Sequence, residues 1–117
     1  MSYLPGTHIL GTIHTRQLFL LEQSLPFQTM IGELIERLAL HQVGEVIHSF
    51  ENAGFTAVIC LTESHISIHT WPEFGLLNYD VYLSNLSGDN RPKAQAIARE
   101  LEQFFMGETQ NYQEIRR

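Results

Sequence analysis

A chain of 117 residues and 13.4 kDa, 44% hydrophobic and 17% charged, suffices for one compact domain with one core, and no apolar run reaches the ~20 residues of a membrane helix. The formal net charge of −6, with Arg116-Arg117 as the only basic cluster, argues against nucleic acid as a partner and favours a cationic small molecule. A single cysteine, Cys60, excludes an intrachain disulfide framework, and Met1 to Gly6 lack the basic and apolar regions of a secretory signal, so a cytoplasmic location is expected.

Thr7 to Thr15, which follows Pro5-Gly6 and is rich in β-branched residues, predicts a first strand. Beyond Pro26, the residues Met30, Ile31, Leu34, Ile35, Leu38 and Ala39 recur at three and four. This spacing predicts an amphipathic helix ending near Val43-Gly44. Glu45 to Phe50 and Phe55 to Leu61 read as strands joined by a turn at Asn52-Ala53-Gly54. In Thr62 to Glu73 the alternation sets His65, Ser67 and His69 against Ile66 and Ile68, which predicts a strand that Pro72 stops. Leu76 to Leu83 predicts another strand and Ser84 to Asn90 a polar loop. Pro92 to Met106 predicts a second helix with Ile97, Ala98, Leu101, Phe104 and Phe105 inward and Gly107 as its C-cap, and Gln110 to Ile115 a last strand. Hairpin-linked strands with two helices describe an α+β two-layer sandwich, a mainly antiparallel sheet with both helices packed on one face.

Several chemistries are compatible with the central segment. His65 and His69, with His48 or Cys60, are zinc-ligand types, but their i, i+4 spacing suits a helix and the segment reads as a strand. Ser64 or Ser67 beside a histidine is a possible nucleophile. It lacks the glycine-flanked elbow of serine hydrolases, and no third, acidic member is identifiable. Polar residues alternating with isoleucines also describe an ordinary half-solvated strand.

The run Thr62-Glu63-Ser64-His65-Ile66-Ser67-Ile68-His69-Thr70-Trp71-Pro72-Glu73 resembles the self-processing signature of the prokaryotic S-adenosylmethionine decarboxylases. The resemblance extends more thinly to Gly6, His8, His48, Phe50, Thr56, Phe74-Gly75, Asp80 and the closing Gln113 to Arg117. It implies a single pyruvoyl-dependent decarboxylase domain over residues 1–117, cut between Glu63 and Ser64 into a β chain of residues 1–63 and an α chain of residues 64–117. The Ser64 hydroxyl would attack the preceding carbonyl, and β-elimination and hydrolysis would leave a covalent pyruvoyl group. Its ketone would take the substrate amine as a Schiff base, with no external cofactor and no metal.

By the same resemblance Thr56 stands where the family has a serine that assists processing, and His69 matches the histidine that carries protons. Phe50 matches the ring that stacks on adenine and Glu73 the carboxylate that binds the ribose hydroxyls. Read alone, Phe50 also fits core packing and Glu73 a solvated loop. The family's small prokaryotic form is a homodimer whose sites draw on both protomers, so a homodimer is expected.

One position departs from the pattern: Ser84 stands where the family has the cysteine that reprotonates the substrate's α-carbon. An alcohol is a far weaker acid than a thiol of pKa near 8.5. Cys60, on the strand before the cleavage site, is expected to be buried, which leaves His69, Tyr82 or water as the proton source. Ornithine or arginine as the substrate of the same chemistry, and a non-catalytic binding role, are the competing readings.

Overall fold

The computed structural model describes residues 2–51, 53–86 and 88–117. In chain order it contains β1 (Thr7–His14), α1 (Leu18–Glu22), α2 (Ser24–Arg37), β2 (Gln42–Phe50), β3 (Gly54–Leu61), β4 (Ser64–Trp71), β5 (Leu76–Leu83), α3 (Arg91–Phe105) and β6 (Glu108–Arg116). A 3-10 turn, Pro72–Phe74, links β4 to β5.

Alternation decides which strand residues meet the helices. Ile9 and Ile13 of β1, Phe55, Ala57, Ile59 and Leu61 of β3, Ile66 and Ile68 of β4, and Leu77, Tyr79, Val81 and Leu83 of β5 are buried, every second residue of each strand. Phe27, Ile31, Leu34 and Ile35 of α2 and Ala94, Ile97, Leu101 and Phe105 of α3 complete the core from the other layer, spaced as one helical stripe demands. Burying each of the larger side chains contributes about 1.5 to 3 kcal/mol. The strands form one antiparallel sheet in the order β2-β3-β4-β5-β1-β6. The α+β sandwich expected from the sequence is therefore present. Among the described residues no helix covers the opposite face of the sheet and none is long and apolar enough to cross a membrane.

Three local differences have physical causes. Helix α2 ends at Arg37 rather than near Val43-Gly44, because Ala39 takes the left-handed conformation (φ 56°) usually left to glycine. The amides of Ala39 and Leu40 then bond back to Glu36 and Ile35, a Schellman closure that the sequence does not announce. Val43 and Gly44 accordingly lie near the start of β2. Helix α1 is a third helix, too short to show periodicity. At the end of α3, Met106 (φ 50°) and not Gly107 turns left-handed; Gly107 is small because a Cβ would collide with the His14 carbonyl.

The β2–β3 turn forms as expected, with Phe50 paired to Gly54; Asn52 of that turn lies outside the described residues. Gly54 (φ 88°) is required there, since a Cβ would strike Thr70 Oγ1 and the Pro72 ring. Thr70 Oγ1 in turn accepts the Phe55 amide at 2.8 Å and donates to the Leu21 carbonyl at 2.7 Å, which joins α1 to β3 and β4.

Candidate active site

A two-residue connection, Thr62-Glu63, joins β3 to β4, and Leu61 pairs with Ser64 across it. Ser64 has φ 136°, a region that non-glycine residues avoid and that stores on the order of 1 to 3 kcal/mol. The carbonyl just before it, that of Glu63, accepts the Ser84 amide at 2.7 Å. That amide is held in place from several sides. Asn90 Nδ2 donates to the Ser84 carbonyl at 2.8 Å, Asn85 Nδ2 to the Pro5 carbonyl at 2.9 Å, and the Asn90 amide to Asn85 Oδ1 at 2.9 Å. Gly6 lies so close to Leu83 and Ser84 that a Cβ would meet their backbone. The Glu63 side chain accepts the His41 amide at 3.3 Å. Burial pushes its carboxyl up, but the Thr62 hydroxyl and His41 donors outweigh that and hold it below the usual range. A strained serine thus follows a carbonyl polarised by a fixed N–H donor, the arrangement that favours attack by the neighbouring hydroxyl.

On the open face beside this turn, Asp80 of β5 collects three donors. His65 Nε2 lies 2.6 Å and His8 Nε2 3.1 Å from Asp80 Oδ1, and the Ser67 hydroxyl donates to Oδ2. Burial raises the Asp80 carboxyl, yet the Ser67, His65 and His8 hydrogen bonds together bring it below the ordinary value. The potential ligand atoms of His8, His65 and Asp80 lie within 4.8 Å of one another. Their hydrogen bonds nevertheless describe a carboxylate hub: Arg117 donates to His8 Nδ1 at 3.3 Å, which leaves the ring proton on Nε2, the atom a metal would need bare. The zinc pairing of His65 with His69 fails on geometry, since four residues of strand separate them by about 13 Å.

The far end of β4 carries a second cluster. Thr56 Oγ1 and His69 Nδ1 are 3.1 Å apart, and together with Phe50, Ala53, Trp71 and Glu73 they line a largely apolar cavity of about 330 Å³. Phe50 is 49% exposed, which removes the core-packing explanation of this ring. It stands edge-on to His48, with centroids 4.6 Å apart. Glu73 projects from the Pro72–Phe74 turn, which Gly75 (φ 65°) closes.

The residues singled out in the sequence therefore fall into two groups. Glu63, Ser64 and Ser84 meet at one end of β4; Phe50, Thr56, His69 and Glu73 meet at the other. Within one chain the groups do not meet, because five residues of strand place Ser64 and His69 about 16 Å apart. One expectation changes. Cys60 is exposed rather than buried, because the alternation of β3 turns it to the open face, directly across from His65. Tyr82, considered as a proton source, donates its hydroxyl to the Arg117 carbonyl at 3.0 Å. The Asp80 hub was not foreseen: His8 and Asp80 belong to the resemblance, but that they meet His65 and Ser67 follows only once β1, β4 and β5 are paired.

Comparison with known proteins bears on what these clusters do. The profile of the S-adenosylmethionine decarboxylase family matches residues 7–117. The S-adenosylmethionine decarboxylase proenzyme of Archaeoglobus fulgidus is 32% identical over 101 residues, 86% of this chain and 88% of that protein. The proenzyme of the same name from Aquifex aeolicus is 34% identical over 82 residues, 70% of this chain and 61% of that protein. The crystal structure of the Aquifex aeolicus adenosylmethionine decarboxylase superposes with a TM-score of 0.85 at 26% identity, covering 99% of this chain and 92% of that one.

Proposed function

The chain belongs to the S-adenosylmethionine decarboxylase family, a family of pyruvoyl-dependent carboxy-lyases, and we propose that it cleaves itself after Glu63 and decarboxylates S-adenosylmethionine as a homodimer, a step of polyamine synthesis. The observation that carries the reading is the Ser84 amide on the carbonyl that precedes the strained Ser64. Attack by the Ser64 hydroxyl on that carbonyl gives an ester and relieves the backbone strain, while the Ser84 amide stabilises the developing oxyanion. Removal of the Ser64 α-proton then expels the Glu63 carboxylate, and water completes conversion of residue 64 to a pyruvoyl group with loss of ammonia. The products are a β chain of residues 1–63 and an α chain of residues 64–117.

The base for that elimination is His69, oriented through Nδ1 by Thr56. Because His69 is beyond reach within one chain, the site is completed by His69 of the partner subunit. Two copies packed by their open sheet faces, about 10 Å apart, around a two-fold axis running across the strands bring the Ser64 end of one over the His69 end of the other. Val46, Phe50, Trp71 and Ile115, all exposed on this face, supply apolar surface for such packing.

A pyruvoyl group at residue 64 would supply an electron-withdrawing carbonyl for the substrate amine. The surroundings of Ser64 fit it: a fixed backbone donor at Ser84 and an open face for the substrate, over which the proposed dimer sets the partner copy's cavity. Phe50 and Trp71 offer flat faces to an adenine and to the sulfonium charge, and Glu73 accepts from ribose hydroxyls. Ornithine and arginine have no base or sugar to fill that cavity. The free thiol of Cys60 suits a cytoplasmic location. Release of labelled carbon dioxide from carboxyl-labelled S-adenosylmethionine, and not from ornithine or arginine, is the expected result. Release from either amino acid in preference would reject this substrate.

A further inference from the structure

Decarboxylation consumes one proton at the substrate's α-carbon, and Ser84 is a poor source of it. Around residue 64 on the open face the structure offers Tyr82, Cys60 and His65. The Tyr82 hydroxyl donates to the Arg117 carbonyl, and Cys60 stands on the neighbouring strand β3, across from His65 and not bonded to residue 64. His65 is different. Its peptide nitrogen is bonded to the carbonyl of residue 64, so its side chain leaves the backbone next to the reacting centre. Its Nε2 is fixed on Asp80 at 2.6 Å, Nδ1 has no partner among the described residues, and the side chain is 37% exposed toward the open face. A carboxylate that holds one ring nitrogen fixes the tautomer and orientation and leaves the other nitrogen to exchange protons.

We propose that His65 is a catalytic acid of this chain, its imidazole anchored by Asp80 and its Nδ1 delivering the proton to the substrate α-carbon in place of the thiol missing at position 84. The inference rests on the decarboxylase reading above. The bond between the α-carbon and the carboxylate breaks, its electron pair stays on the α-carbon, and a C–H bond forms there with the proton of Nδ1. Nδ1 regains a proton from solvent, so carboxylate plus one proton becomes carbon dioxide plus the new C–H bond. Asp80 stays a carboxylate throughout and pairs with the imidazolium while it carries the proton. A proton that arrives instead at the carbon of residue 64 leaves an alanine N-terminus on the α chain and releases an aldehyde, so misdirected protonation is recorded permanently in the protein.

That record is the test. The parent, His65→Gln, Asp80→Asn and Cys60→Ser are purified with cleavage completed, given equal numbers of turnovers with S-adenosylmethionine, and the α-chain mass is read for alanyl against pyruvoyl N-termini. His65→Gln is expected to raise the alanyl fraction per turnover by about tenfold or more, and Ser84→Cys added to it to reverse the rise. Asp80→Asn is expected to raise it in the same direction, which keeps the test open if His65→Gln does not mature. Alanyl fractions equal to the parent's in both variants overturn the proposal, as does a rise confined to Cys60→Ser, which would assign the proton to that thiol. A parent that releases no carbon dioxide from S-adenosylmethionine overturns the decarboxylase reading itself, and is seen before any variant is compared.

Discussion

Ser64 and His69 are the first and sixth residues of one eight-residue strand, β4, about 16 Å apart by strand rise. No rotamer of either side chain spans that distance, so on the proposed roles of Ser64 as nucleophile and His69 as base the two work together only between two copies. The two positions therefore complement each other in trans. Ser64→Ala and His69→Ala are each expected to stay uncleaved alone, while the His69→Ala chain is cleaved once the two variants are co-expressed and form mixed dimers. Fragments on a denaturing gel report this, and no cleavage in the mixture would locate both groups in the same chain.

On the proposed mechanism His69 acts after the acyl shift and not before it, so its loss should trap the ester. Hydroxylamine, which splits esters and leaves amides intact, is expected to cut His69→Ala after Glu63 while spontaneous cleavage falls about a hundredfold or more. Thr56→Ser keeps the hydroxyl that orients His69 at 3.1 Å and should cleave at close to the parent rate, whereas Thr56→Val should slow. Resistance of His69→Ala to hydroxylamine would move this residue to the earlier step.

Phe50 is exposed at the mouth of the cavity near His69 and carries no group that could move a proton in the proposed cleavage. Phe50→Ala should mature normally and raise KM for S-adenosylmethionine by about tenfold, the equivalent of 1.4 kcal/mol of lost stacking and cation–π contact. A matured Phe50→Ala enzyme with unaltered KM would remove the ring from the adenine site.

Asp80 sits below the ordinary carboxyl range in the folded chain: burial opposes its charge, and the Ser67, His65 and His8 donors more than compensate. A depressed folded value stabilises the fold above the unfolded pKa, and that contribution is lost as the pH falls through the folded value. Asp80→Asn should therefore unfold at a lower temperature than the parent near neutrality, with the gap narrowing below about pH 4. Glu63 is depressed as well but is present in both proteins. A gap that stays constant with pH would mean that the hub contributes through shape and not through charge.

Much of the fold was legible because alternation and helical spacing are strong in this chain: Ile66 and Ile68 against His65, Ser67 and His69 fixed the character of β4, and Ile97, Leu101 and Phe105 that of α3. The end of α2 was not, since Ala39 in a left-handed turn carries no glycine signal. The members of both site clusters were readable as residues through the resemblance, but their separation was not. It follows from which residue pairs with which across β3, β4 and β5, and pairing is a property of the sheet as a whole. Cys60 was misjudged for the same reason: the phase of β3, and not the hydrophobic character of a thiol, decides that it faces outward.

The intact mass of the purified protein tests self-cleavage most directly. Two chains are expected, residues 1–63 with a free C-terminal carboxylate on Glu63, and residues 64–117 with an N-terminal carbonyl that borohydride reduces with the gain of two hydrogens. A single chain of 13.4 kDa that persists on prolonged incubation would contradict self-cleavage at Ser64 and the pyruvoyl chemistry built on it.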